Sequence, residues 1–95
     1  MDINREIRVA VNTGNVSFGV KEAKDNVEEG NAELLIGADN CPEEEVTGND
    51  YKDVPIYHFT GKNKELGSAA GKPFAISTLA VMDSGDSNIL SLKAD

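Results

Sequence analysis

Glu33-Leu34-Leu35-Ile36-Gly37 is a short, uninterrupted apolar run between polar flanks. Side chains alternate between the two faces of a strand, so a strand with one wet face shows apolar and polar residues in turn. Three consecutive large aliphatics instead predict a strand covered on both faces, the pattern of a sheet with helices on either side. The chain around it supplies those helices.

Upstream, Gly19 opens a segment in which Val20, Ala23 and Val27 share one helical stripe until Gly30 stops it. Asn15-Val-Ser-Phe18 before it reads as a strand. Residues 2–13 place Ile3, Ile7, Val9, Ala10 and Val11 at helical spacing, with Asp2 as the cap and Gly14 as the stop. Downstream, residues 38–42 form the loop at the carboxyl end of the apolar strand, and 43–53 a polar, irregular or partly helical connection with a turn at 48–50. Residues 54–59 predict a strand that admits Pro55 at its entry. Residues 62–70 predict a short helix capped by Asn63 and stopped by Gly71. Residues 74–81, rich in apolar and β-branched side chains, predict the strongest strand, after which 83–86 turn and Ile89-Leu90 close the fold. Strands alternating with helices give an α/β class: a small four-stranded mixed sheet with helices on both sides, in a single domain over residues 1–95.

The bulk composition agrees. Ninety-five residues support one modest core. At 39% hydrophobic, 5% aromatic and no tryptophan, that core is aliphatic. A start without a basic leader, and the lack of any stretch near the ~18 apolar residues of a membrane span, predict a soluble intracellular protein with no membrane partner. Cys41 is the sole cysteine, which excludes an internal disulfide and a closed cysteine metal site. The formal charge of −8, from 17 acids and 9 bases, opposes nucleic-acid binding when taken alone, because phosphate neutralisation supplies much of that affinity. The charge is uneven, however. Residues 22–45 hold nine acids against Lys24, whereas 61–74 hold Lys62, Lys64 and Lys72 against Glu65.

No catalytic set can be assembled. His58 is the only histidine and falls inside a predicted strand, and Cys41 has no histidine close in sequence. Asp83 and Asp86 lack the spacing and terminal glutamate of a calcium loop, and Gly14 with Gly19 makes no phosphate-binding motif. The chain reads as a non-enzyme that needs no cofactor or metal.

Thr13-Gly14, Phe18-Gly19-Val20-Lys21, Ala38-Asp39-Asn40, Glu65-Leu66-Gly67, Gly71-Lys72-Pro73-Phe74 and the run from Asp83 to Leu90 stand in the order and approximate spacing of an archaeal-type ribosomal family. The chain resembles the large-subunit family called thirty-e, and the ordered set spans almost its whole length. The resemblance implies the three-layer α/β/α fold of the kink-turn-binding superfamily. It also implies a structural, cytoplasmic ribosomal protein, monomeric when free, whose partners are ribosomal RNA and neighbouring ribosomal proteins. In that family three loops at one end of the sheet hold RNA, and the matching positions here are Gly19, Lys21, Asn40, Asn63, Glu65, Leu66, Gly67, Lys72 and Phe74.

These residue types suit bulged RNA, whose unstacked bases are open to stacking and edge reading. Gly19 either makes the strand-to-helix turn or lets a phosphate approach a helix amino terminus, where Lys21 adds charge. Asn40 either forms a turn or offers a donor and an acceptor to a base edge. Asn63, Glu65 and Gly67 sit at a helix start, where capping and ligand contact coexist. Phe74 either stacks on a base or joins the core, with Lys72 and Lys62 serving phosphate or water. Two departures weaken the match: Asp25, Glu28 and Glu29 lie where the family's second helix is usually more basic, and the 41–54 connection is short, with Glu43-Glu44-Glu45 in it. The alternative is an acidic protein-interaction module on the same fold without RNA binding.

Overall fold

A computed structural model describes residues 2–39 and 50–94 of the chain. The elements are α1 (Ile3–Thr13), β1 (Asn15–Phe18), α2 (Val20–Glu28), β2 (Leu34–Gly37), β3 (Asp50–Tyr51), β4 (Val54–His58), α3 (Asn63–Ala69), β5 (Thr78–Asp83) and a closing 3-10 helix over Ile89–Ala94. The sheet runs β1-β5-β2-β4-β3. Only β2 and β4 pair in parallel; the other neighbours are antiparallel.

The apolar run at 34–36 is the central strand, and alternation sends its side chains into two cores. Leu34 and Ile36 join Leu79 and Val81 against Ile7 and Ala10 of α1, Leu66 of α3 and Ile89. Leu35, with Ala80 and Ile56 beside it in the ladder, faces Ala23 and Val27 of α2. Leu34, Leu35 and Ile36 are all completely buried, and each such side chain contributes about 1.5–3 kcal/mol through burial. Neither face can be wetted without losing that term. The layers are therefore α1, α3 and the 3-10 helix, then the sheet, then α2.

Three expectations need correction. The strand predicted over 74–81 begins only at Thr78. Ile76 gives its N–H to the carbonyl of Asn63 rather than to a neighbouring strand, so the apolar pattern of this segment reflects packing under α3 and not sheet pairing. Among the described residues the sheet also has five strands rather than four, because Asp50–Tyr51, predicted as part of an irregular connection, pairs with Val54 and Pro55. The turn between them uses Lys52 and Asp53 at positive φ (48° and 73°), the primed-turn geometry usually announced by Asn-Gly. Residues 43–49 of that connection lie outside the described residues. Lastly, Lys62 caps α3 and Asn63 is its first helical residue.

Asp2 caps α1 as its sequence suggests, its Oδ1 accepting the Arg5 N–H at 3.2 Å. Gly14 ends the helix for a different reason from left-handed backbone freedom. Its φ is −111°, and a Cβ there would strike the Asp83 carbonyl. The turn over 83–88 is bound to α1 by side chains. Thr13 Oγ1 accepts the Asp86 N–H at 2.9 Å, Ser87 Oγ donates to the Glu6 carbonyl at 2.8 Å, and Glu6 Oε1 accepts the Asn88 N–H at 2.8 Å. Asp83 Oδ1 accepts the Gly85 N–H at 2.9 Å, which accounts for this acidic turn as local backbone satisfaction.

The Asn88 amide, and after it the Ser87 hydroxyl, hold the Glu6 carboxyl below its usual pKa. A carboxyl whose pKa is lower in the folded state stabilises the fold above its unfolded pKa, and that contribution disappears as pH falls through the folded value. Glu6→Gln is therefore expected to be less stable than wild type at neutral pH, with the gap closing in acid below the usual glutamate pKa. Urea midpoints of both proteins measured across that range will check this.

Candidate nucleic-acid interface

The end of the sheet where β2 and β4 finish is held by backbone hydrogen bonds between segments distant in sequence. Gly19 N–H donates to Thr78 O at 2.8 Å, Ala38 N–H to Ser77 O at 2.8 Å, and Asp39 N–H to Gly61 O at 2.9 Å. Ile76 N–H donates to Asn63 O at 3.0 Å. Residues 18–21, 37–39, 61–65 and 72–78 consequently form one continuous rim. It carries six of the sequence-predicted positions: Gly19, Lys21, Asn63, Glu65, Lys72 and Phe74. Asn40 lies outside the described residues; Asp39, which precedes it, is exposed and anchored to Gly61.

Gly19 adopts φ 102° and ψ 154°, a region essentially restricted to glycine. A Cβ there would meet nothing within 4 Å. Conformation requires the glycine, and the resulting open space leaves the backbone accessible. α2 starts at Val20 without a side-chain cap, so its first amides and the positive end of the helix dipole face outward beside Gly19. Lys21 is exposed on the outer side of α2, near Asp25 and Glu28.

Phe74 is the exposed large hydrophobic residue among those described, at 53%. It is held in place although it is wet. Its ring meets Phe18 edge-on, with centroids 6.4 Å apart and planes at 85°, a favourable arrangement of ring quadrupoles. Lys72 Nζ lies 5.3 Å from the Phe18 centroid, within range of cation–π attraction. Phe18, Gly19 and Phe74 border a shallow hollow of about 270 Å³. Phe18 was not singled out from the sequence, where it reads only as a strand end; its role depends on the β1–β5 pairing that sets it opposite Leu79.

The Glu65-Leu66-Gly67 string divides. Glu65 is exposed, and its Oε2 accepts the Lys62 N–H at 3.0 Å across the first turn of α3. Leu66 is completely buried and Gly67 is buried too, which corrects their assignment as surface contacts. Leu66 fixes α3 to the core, and Gly67 admits the Phe74 carbonyl so closely that a Cβ would collide with it. Gly67 thereby helps to place Phe74 on the rim.

The acidic α2 surface carries Glu22, Asp25, Glu28 and Glu29. Lys52 hydrogen-bonds Glu28 at 2.8 Å and holds that carboxyl below its usual pKa. Both partners are more than half exposed, so the pair adds little stability. His58 is exposed, Cys41 lies outside the described residues, and no described group of three or more His, Cys, Asp or Glu could hold a metal. No described helix is long and apolar enough to cross a membrane.

Gly67→Ala is expected to destabilise the fold by about 1–3 kcal/mol, read from denaturant midpoints. Alanine gains up to ~1 kcal/mol of helix propensity, but the obstructing atom is backbone and cannot rotate away, so overpacking outweighs it.

The profile of the ribosomal protein L7Ae/L30e/S12e/Gadd45 family matches residues 1–91. Similar proteins named large ribosomal subunit protein eL30 include that of Methanospirillum hungatei, 45% identical over 95 residues, covering 97% of this chain and 98% of the relative. Those of Methanosphaera stadtmanae and Methanococcus maripaludis are each 44% identical, covering 98% and 97% of this chain and 99% and 91% of the relatives.

Proposed function

The chain belongs to the ribosomal protein L7Ae/L30e/S12e/Gadd45 family, and from that premise we propose that it is a structural, non-catalytic component of the large ribosomal subunit that clamps a kink-turn-like internal loop of rRNA. The observation that carries this reading is the exposed Phe74, braced on Phe18 beside Lys72 and next to the open backbone at Gly19. An apolar ring held rigidly in water is a platform for an unstacked base. Such stacking is worth about 1–3 kcal/mol per base.

Each group has a role in the clamp. The uncapped amides of α2 and Lys21 take a phosphate at Gly19, and Lys72 takes another beside the stacked base. Asn40 reads a base edge with its paired donor and acceptor, and Asn63 with Glu65 lines the facing side. A bent RNA presents an extruded base and a phosphate turn together, whereas a regular duplex keeps its bases stacked. With a net charge of −8, long-range attraction contributes little and these short contacts carry the affinity. Ribosomal RNA and adjoining ribosomal proteins are the partners, in the cytoplasm, and the free chain is a monomer.

Titration should show clear preference for a kink-turn RNA over a fully paired duplex of equal length; equal, weak binding to both would overturn the reading. Phe74→Ala should lose about 1–3 kcal/mol of kink-turn affinity with little change in unfolding midpoint, because the ring is more than half exposed. An acidic protein adaptor, the reading that the net charge favours, would lose nothing on that substitution.

A further inference from the structure

A second basic surface lies away from the clamp, in the groove between α1 and α3. Arg5 and Arg8 are three residues apart on one exposed face of α1. Arg8 Nη2 donates to Ser68 O at 3.3 Å, and the side chain passes over Gly71, where a Cβ would lie 3.2 Å from Arg8 Nε. This ties α1 to the end of α3 and points a guanidinium along the groove, which holds about 480 Å³. On α3, Lys64 and Ser68 share a face one turn apart and line a second hollow with Lys72 and Phe74. The two hollows meet at Ser68, and the second meets the Phe18–Gly19 hollow at Phe74. The result is an unbroken track from the clamp to Arg5.

The charge along this track opposes that of the whole molecule. Arg5, Arg8 and Lys64 line the groove and its extension, which reaches the clamp at Lys72, and among the described residues Glu65 is the one acid in that lining. Such a concentration on a chain of net −8 selects a partner that is itself densely anionic. The track is shallow and open, with cations spaced along it and no enclosed pocket, so it suits a repeating backbone better than a discrete ligand. Contacts of this kind position a duplex without reading its sequence.

We propose that the α1–α3 groove is a second RNA-binding surface, on which Arg5, Arg8 and Lys64 take the phosphates of the helical stem that leaves the bent element. This rests on the RNA-clamp reading above and deepens it: the clamp selects the bend, and the groove fixes the direction of the adjoining stem. A duplex stem carries one phosphate per ~1.7 Å of axis, so successive cations on α1 and α3 meet successive charges without any demand on sequence.

The test compares two kink-turn RNAs, one with stems just long enough to close it and one with a stem extended by roughly ten base pairs, about one helical turn. Wild type and the double variant Arg5→Gln/Arg8→Gln are titrated with each across a salt series. Both replaced side chains are exposed, and matching thermal midpoints will show that the variant is folded. Wild type should bind the extended RNA about tenfold more tightly than the short one at low salt. The variant should lose that gain, with the slope of log affinity against log salt shallower by about two, and should match wild type on the short RNA. If extension adds nothing to wild type, or the variant equals wild type on the extended RNA, the groove proposal falls while the clamp stands. Equal losses on both RNAs also overturn it, since they mark diffuse charge and not a stem contact. If wild type prefers neither RNA over plain duplex, clamp and groove fall together.

Discussion

The complete burial of three consecutive aliphatic side chains in one four-residue strand governs this structure. Leu34 and Ile36 need one apolar cover, and Leu35 needs another on the opposite side. A single helical layer cannot satisfy both, so α2 must cross to the face that α1 and α3 leave bare. That crossing happens at Gly19. The strand-to-helix reversal, and with it the open backbone at the rim, follows from the demand for two-sided cover.

The rim inherits its rigidity from the same core. Its segments are joined by main-chain hydrogen bonds from Gly19 to Thr78, Ala38 to Ser77 and Asp39 to Gly61, and these originate at the ends of buried strands. Leu66 and Gly67 extend the constraint to the far side: one anchors α3, the other lets the Phe74 carbonyl settle against it. Phe74 therefore projects into water from a backbone that cannot retract it. Bases gain from stacking on a platform that is already ordered, because the ordering cost has been met during folding.

Charge is distributed unevenly. Glu22, Asp25, Glu28 and Glu29 are exposed on α2, whereas Arg5, Arg8, Lys64 and Lys72 line the hollows of the α1–α3 side with Glu65 among them. Net charge describes how the whole molecule repels or attracts at long range. It does not describe a groove whose cations lie within contact distance of a ligand, where screening and distance favour the nearest groups.

Much of this was legible in the chain itself. The apolar run at 34–36 determined a sheet covered on both faces, the spacing of Ile7 with Ala10 and of Ala23 with Val27 determined amphipathic helices, and the ordered motifs identified the family. These signals are local: each depends on side-chain periodicity within a few residues. Tertiary structure alone decided the rest. Residues 74–77 look like strand, yet the Ile76 N–H goes to Asn63 of α3; Asp50–Tyr51 pairs through a Lys-Asp turn with no Asn-Gly mark; Gly14 is needed for the approach of Asp83, distant in sequence and adjacent in space. Phe18 became part of the site, and Leu66 left its surface, for the same reason. Which neighbour a backbone amide finds, and which side chain stays wet, are properties of segments meeting in space, and no window of sequence contains both partners.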